Sequence, residues 1–79
     1  MLRFKIDVGD ALERKGINLY KCKKTKVLSQ DTLKKLKNDD TSISLESINR
    51  VCMLLDMQLK DLIEYVENPE EKEKFLENL

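Results

Sequence analysis

The clearest functional feature of this sequence is a cluster of lysines, which could bind an anion. Between residues 20 and 37, seven lysines face a single acidic residue, Asp31. The chain as a whole is neutral, because residues 1–40 hold 11 Lys or Arg against 6 Asp or Glu while residues 41–79 hold 4 against 9. A neutral chain divided in this way presents a positive face, and a polyanion such as a nucleic acid is its natural ligand. An ordinary solvated surface would carry the same lysines, so charge alone leaves both interpretations open.

Catalytic and metal-binding chemistry has few candidate residues here. The chain contains no histidine, and its two cysteines, Cys22 and Cys52, lie 30 positions apart. This spacing lacks the paired ligands of a structural zinc site, and no Gly-rich phosphate loop or convergent carboxylate pair is present. We therefore expect no enzyme activity, no metal, no cofactor and no small-molecule ligand. The two thiols are expected to be small buried apolar side chains, with a disulfide between them as the alternative.

The length of the chain limits it to one domain. Seventy-nine residues, of which 41% are hydrophobic, can build a single small core. No apolar run approaches the roughly 18 residues of a membrane span, and the N-terminus lacks the apolar stretch of a signal peptide. These features predict a cytoplasmic protein without membrane contact. Because so small a domain is only marginally stable alone, a partner chain is expected.

Residues that start and stop helices divide the first part of the chain into short elements. The alternation of apolar and basic residues at 2–6 predicts a strand or an ordered arm, whose pairing partner could be its copy in a dimer. Asp7 predicts the N-cap of a helix that runs to about Lys15 and ends at Gly16. Gly9 costs that helix about 1 kcal/mol relative to alanine, and no feature of the sequence explains it.

The next two helices are separated by a very short connection. Asn18 predicts the N-cap of a helix at 19–25, and Ser29 predicts the N-cap of another at 30–37. Two short helices joined in this way form the helix-turn-helix arrangement.

Three further helices are predicted in the second half of the chain. Ser44 should cap the fourth, Asp56 should end it with a positive φ, Gln58 should start the fifth, and Asn68-Pro69 should start a short acidic sixth that reaches Leu79. The helical spacing of apolar residues predicts the buried side chains. From the third helix to the fifth, these are Leu33, Leu36, Leu45, Ile48, Val51, Cys52, Leu55, Leu59, Leu62, Ile63 and Val66.

Four segments of the chain occur in an order and at a spacing that are typical of a known protein family. They are YKCKKT at 20–25, LSQDTLKKLKN at 28–38, SLESI at 44–48 and LDMQLKDL at 55–62. Over about residues 7–66, the sequence thereby resembles the Cro/CI-type helix-turn-helix family of small bacterial and phage regulators, also called the xenobiotic-response-element family. The resemblance implies an all-α fold, a compact five-helix domain of the lambda-repressor type. Here that domain would carry a short N-terminal strand or arm and an extra C-terminal helix.

The sequence departs from the family pattern at four positions. Lys23 stands where the family usually has a small residue, and Val27 stands where it usually has glycine. Valine disfavours a positive φ, so we expect a different turn geometry and a tilted third helix. Asp39 and Asp56 replace family glycines and tolerate left-handed conformations better.

The resemblance also implies which side chains would contact DNA. In this family the third helix enters the major groove, which implies contacts to base edges from Gln30, Asp31, Lys34 and Lys35. Glutamine suits adenine, and lysine suits guanine. Contacts to the sugar–phosphate backbone are implied for Asn18, Lys21, Lys24, Ser29, Thr32, Lys37, Asn38 and Thr41. Asn18 and Ser29 would cap their helices with or without DNA.

Taken together, the resemblance implies a sequence-specific transcription regulator, a repressor, that binds double-stranded DNA at a palindromic operator as a homodimer. Residues 1–68 would form the DNA-binding domain, with the arm at 1–6, and residues 69–79 would form an acidic extension used for dimerisation. The subunits could join through Met53 and Leu54, through the strand at 2–6, or through Phe75, Leu76 and Leu79. We favour a combination of the last two, which are extensions outside the five helices of the family.

The sequence is also compatible with two other functions. The same bundle could be a protein-interaction module, such as an antitoxin or a partner-binding subunit that uses the acidic stretch 67–77. The lysines alone could instead bind RNA, or any nucleic acid without sequence preference.

Overall fold

The computed structural model describes all 79 residues as six helices and two short strands. In chain order the elements are β1 (Leu2–Phe4), α1 (Val8–Arg14), α2 (Leu19–Thr25), α3 (Gln30–Lys37), α4 (Leu45–Leu55), α5 (Leu59–Leu62), β2 (Ile63–Tyr65) and α6 (Pro69–Glu77). None of the six helices has the length and apolar character needed to cross a membrane.

Side chains that the sequence identifies as N-caps start five of the helices. Asp7, Asn18, Ser29, Ser44 and Asn68 each accept a hydrogen bond from the backbone N–H three residues later. Each bond satisfies one of the amides that a helix leaves unpaired in its first turn. The predicted starts of α1, α2, α3, α4 and α6 are confirmed.

Left-handed residues end several of these helices. Gly16 has a φ of 79°, Asp39 of 56° and Asp56 of 53°, as the sequence predicts for each of them. The turn between α2 and α3 takes its positive φ at Lys26, at 59°, and not at Val27. The helix-turn-helix therefore avoids the strain expected at a β-branched residue, and Val27 is free to pack against the core.

The strand at the N-terminus pairs within the chain. β1 runs antiparallel to β2, with Arg3 opposite Glu64 and their side chains joined in an ion pair of 3.1 Å. The prediction that the fifth helix continues to Val66 is therefore wrong, because α5 ends at Leu62. Ile63, Tyr65 and Val66 are β-branched or aromatic residues, which are enriched in strands. β1 supplies the strand with which residues 63–65 pair. Because β1 lies near the other end of the sequence, local sequence patterns do not predict this pairing.

The core lies where α1, α3 and α4 meet, with α2 and α5 closing its sides. Ten apolar side chains are buried: Val8, Leu12, Cys22, Leu28, Leu33, Leu36, Ile48, Val51, Leu55 and Leu62. Leu45 and Leu59 were predicted to be buried and are exposed instead, by 84% and 52%. Leu45 is the first residue of α4, one turn before the buried Ile48. Helical spacing identifies the buried face, but it does not tell where along the helix the neighbours stop.

The two cysteines do not pair. Cys22 is buried, Cys52 is half-buried, and both are free thiols. Burial raises the pKa of the Cys22 thiol, although a hydrogen bond with the backbone of Leu28 and the nearby charge of Lys37 act in the opposite direction. Cys22 therefore serves as a small apolar side chain that is protonated at neutral pH.

Gly9, unexplained by the sequence, lies where α1 crosses the end of α3. A methyl group on Gly9 would stand 3.0 Å from the backbone Cα of Lys37 and 3.0 Å from its Cγ. Both distances are shorter than normal contacts between carbon atoms. The glycine therefore allows the close approach of α1 to the helix that carries the candidate site.

We expect the substitution Gly9→Ala to lower the free energy of unfolding by about 1–3 kcal/mol, because a backbone atom cannot move aside as a side chain does. Helix propensity alone predicts the opposite, a gain of about 1 kcal/mol. Urea denaturation measures the difference. The control is Glu13→Ala, since Glu13 is exposed on the same helix. A stabilised Gly9→Ala variant would show that α1 and α3 have room to separate.

Candidate nucleic-acid interface

The geometry of the candidate site is set by the way α3 packs. The helix lies against α1 and α2 through Leu33 and Leu36, both of which are completely buried. Gln30, Asp31 and Lys34 are exposed on the opposite face. Because the apolar residues hold one side of an eight-residue helix, its polar residues are presented together on the other. We call this the outward face of α3, defined by Gln30, Asp31, Lys34 and Lys35.

Hydroxyl groups organise the start of this helix. The Ser29 Oγ accepts the backbone N–H of Thr32 at 3.0 Å and lies 2.8 Å from the Thr32 hydroxyl. Gln30 follows directly and makes no hydrogen bond through its side chain within the protein. Its amide is therefore available, with donor and acceptor both free, at the end of the helix that is richest in unpaired N–H groups.

Lys35 differs from its neighbours because its ammonium group already has partners. Its Nζ donates to the backbone carbonyl of Ser42 at 3.1 Å and lies 3.5 Å from a carboxylate oxygen of Asp31. The side chain is 35% exposed. In the free protein, Lys35 thus joins the outward face of α3 to the loop that follows the helix.

The loop at 38–44 is ordered by its own polar groups. Asp40 accepts hydrogen bonds from the backbone N–H of Ser42 at 2.9 Å and from its hydroxyl at 2.6 Å. These two bonds, helped by the charge of Lys35, hold the pKa of Asp40 below its usual value. The carboxylate that shapes the loop is therefore ionised at neutral pH. Within the loop Asn38 is exposed and Thr41 is half-buried.

The remaining lysines of α2 and α3 carry no neutralising partner. Among the seven lysines between residues 20 and 37, only Lys35 forms an ion pair. The other six are exposed, namely Lys21, Lys23, Lys24, Lys26, Lys34 and Lys37. Lys24 lies over the ring of Tyr20, with Nζ 5.9 Å from its centroid. The positive charge noted in the sequence is thus concentrated around the helix-turn-helix and remains uncompensated.

Asn18 and Lys21 stand together at the start of α2. The Asn18 side chain accepts the backbone N–H of Lys21 at 2.9 Å, which leaves the ammonium group of Lys21 free. The structure therefore brings Asn18, Lys21 and Lys24 onto α2, Gln30 to Lys37 onto α3, and Asn38 and Thr41 into the loop that follows.

One contributor to this surface was not identified from the sequence. Arg50, on α4, donates to the carbonyl of Val27 at 3.2 Å and pairs with Glu46 at 3.2 Å. It lines a surface groove together with Lys23, Lys26 and Gln30. Arg50 thereby fastens α4 to the turn between α2 and α3. Lys23 and Lys26 were counted in the positive charge, whereas no sequence pattern links Arg50 to a carbonyl 23 residues away.

The acidic and thiol side chains do not assemble into a metal site. No group of three or more Cys, Asp or Glu side chains is close enough to hold a metal ion.

Comparison with known protein families gives one result. A family model for a Cro/C1-type HTH DNA-binding domain matches residues 9–68. The matched range holds α2, the turn, α3 and the loop after it, and it ends just before α6. No curated protein and no solved structure matches the chain.

Proposed function

Since the chain belongs to the family of Cro/C1-type helix-turn-helix DNA-binding domains, we propose that it is a transcription repressor that binds a palindromic operator as a homodimer. The observation that carries the proposal is the outward face of α3, which presents four polar side chains in a helix-turn-helix whose exposed lysines, apart from Lys35, lack acidic partners. Such a face has the shape and the charge that the major groove accepts. The polar set lies on α3, and the unpaired lysines lie on α2, in the turn and on α3 itself.

Base recognition is assigned to the outward face of α3. The free amide of Gln30 can pair with N6 and N7 of adenine, and Lys34 and Lys35 can donate to O6 and N7 of guanine. Lys35 would exchange the Ser42 carbonyl for a base, which its flexible side chain allows. Asp31, whose side chain is 78% exposed, can accept from N4 of cytosine.

Backbone contacts are assigned to the groups that flank this face. The ammonium groups of Lys21, Lys24 and Lys37 supply charge, and the loop supplies Asn38 and Thr41. The assigned polar groups at the helix starts are Asn18, Ser29 and Thr32. The side chains of Asn18 and Ser29 already cap α2 and α3, and the Thr32 hydroxyl bonds to Ser29, so these groups would position the helix starts against phosphates. Such contacts determine affinity and register, whereas the base contacts determine sequence preference.

The size of the DNA-binding surface supports a dimer. One copy covers only about half a turn of groove, so a two-fold dimer on a symmetric site is needed for strong specificity. Repression requires only that the protein occupy its site. In this scheme the chain is a binding protein and not an enzyme, it acts in the cytoplasm, and residues 1–68 form the DNA-binding unit.

The test is a selection of bound duplexes from a random pool, followed by affinity measurements between about 50 and 200 mM salt. We expect one preferred sequence with two-fold symmetry, and a slope of log K against log salt of roughly −0.9 for each phosphate contacted. Salt-dependent binding without a preferred sequence would replace the proposal with nonspecific nucleic-acid binding. The absence of DNA binding would favour a protein-interaction module.

A further inference from the structure

The C-terminal helix packs poorly against the rest of the chain. Every residue of α6 is exposed, and its apolar side chains Phe75 and Leu76 are 65% and 54% accessible. The last residue, Leu79, is 99% accessible. An isolated helix of nine residues is only marginally stable in water. Its apolar stripe therefore lacks the packing surface that would stabilise it.

A groove lies between this helix and the two-stranded sheet. Its apolar walls are Met1, Leu2 and Tyr65 on one side and Phe75 and Leu76 on the other. Leu2 and Tyr65 are register partners in the sheet, so their side chains stand next to each other. The groove thus places the apolar side chains at the sheet opposite those of α6, and no residue of α3 lines it.

We propose that a second copy of this chain fills the groove, with α6 of each copy lying between the sheet and α6 of the other. A two-fold axis makes the same patch meet itself, and this patch carries both an acceptor groove and an unpacked helix to fill it. This inference identifies the surface through which the two subunits of the proposed DNA-binding dimer would join. It therefore rests on the proposal that the protein is a homodimer.

The exposed area is large enough for such an interface. Met1, Leu2, Tyr65, Phe75, Leu76 and Leu79 are each more than half exposed. Together they form an exposed apolar patch on the order of several hundred Å² per copy, a size typical of interaction sites, and a standard complex buries approximately 800 Å² on each partner. The interface would be apolar and not ionic, because the glutamates of α6 outnumber its two lysines and Lys72 already pairs with Glu67 at 2.9 Å within the chain.

Sedimentation equilibrium of the full chain tests the proposal. The wild type should be a dimer. Phe75→Asp should raise the dissociation constant of the dimer by at least about 100-fold, as expected for an aromatic anchor at the centre of an interface. Leu79→Asp should act in the same direction, and its nearly complete exposure excludes an effect on the core. Leu45→Asp is the control, because Leu45 is an 84% exposed leucine outside the groove.

Circular dichroism melts check that the variants fold, and DNA binding is measured separately. A monomeric wild type at about 100 µM, or a Phe75→Asp variant that remains a dimer, overturns the inference and points to another occupant. Operator binding by a protein that dimerises elsewhere would leave the proposed DNA-binding function intact. Loss of the dimer in Phe75→Asp, with no DNA binding by any form, would support the interface and refute the regulator.

Discussion

Substitution of Leu36 by alanine should lower the free energy of unfolding by about 2–5 kcal/mol, the cost of a cavity in a packed core. Leu36 is completely buried on α3, where that helix meets the core. Small domains have total stabilities of about 5 kcal/mol or somewhat more. The variant should therefore melt at a clearly lower temperature than the wild type and be partly unfolded at about 25 °C. Urea or thermal denaturation followed by circular dichroism measures the loss.

A matched control is available in the same residue type. Leu45 is 84% exposed, so Leu45→Ala removes the same atoms without creating a cavity. Its stability should stay within about 0.5 kcal/mol of the wild type. If the two variants are equally destabilised, Leu45 is buried in solution and α4 packs differently from the structure described here.

Substitution of Gln30 by alanine should weaken binding to the selected operator by about 1–3 kcal/mol, which is roughly 5- to 150-fold, and relax the preference at one base pair of each half-site. The loss arises because a base edge then remains without its hydrogen-bond partner. Gln30 makes no side-chain hydrogen bond within the protein, so the fold should not change. Affinities for the operator and for its variants at each position measure the effect.

Gln58→Ala provides the control for this experiment. Gln58 is an exposed glutamine at the start of α5, where its side chain makes no capping hydrogen bond. Its substitution should leave affinity and sequence preference unchanged. Should Gln30→Ala behave in the same way, the outward face of α3 does not read the bases. Lys24→Ala offers a further contrast, since loss of a phosphate contact weakens binding to all sequences alike.

The candidate site shows where prediction from sequence reaches its limit. The lysines, the exposed glutamine and the helix that carries them follow from composition, caps and apolar spacing. The tether from Lys35 to the Ser42 carbonyl and the bond from Arg50 to the Val27 carbonyl do not. Both use backbone oxygens, which every residue possesses, so residue type does not reveal the partner. These contacts arise from the chain path and not from a pattern of side chains.

The same division holds for the fold. Short-range chemistry was enough to locate the helices, because a cap such as Ser29 and its amide lie three residues apart, and a left-handed stop such as Gly16 acts within one turn. Contacts between segments that are distant in the sequence decided the remaining features of the fold. The pairing of β1 with β2 ended α5 early, the contact with Lys37 required Gly9, and the position of Leu45 beyond its neighbours left it in water. Each of these outcomes depends on which distant segment arrives at a given residue, and that is determined by how the whole chain packs.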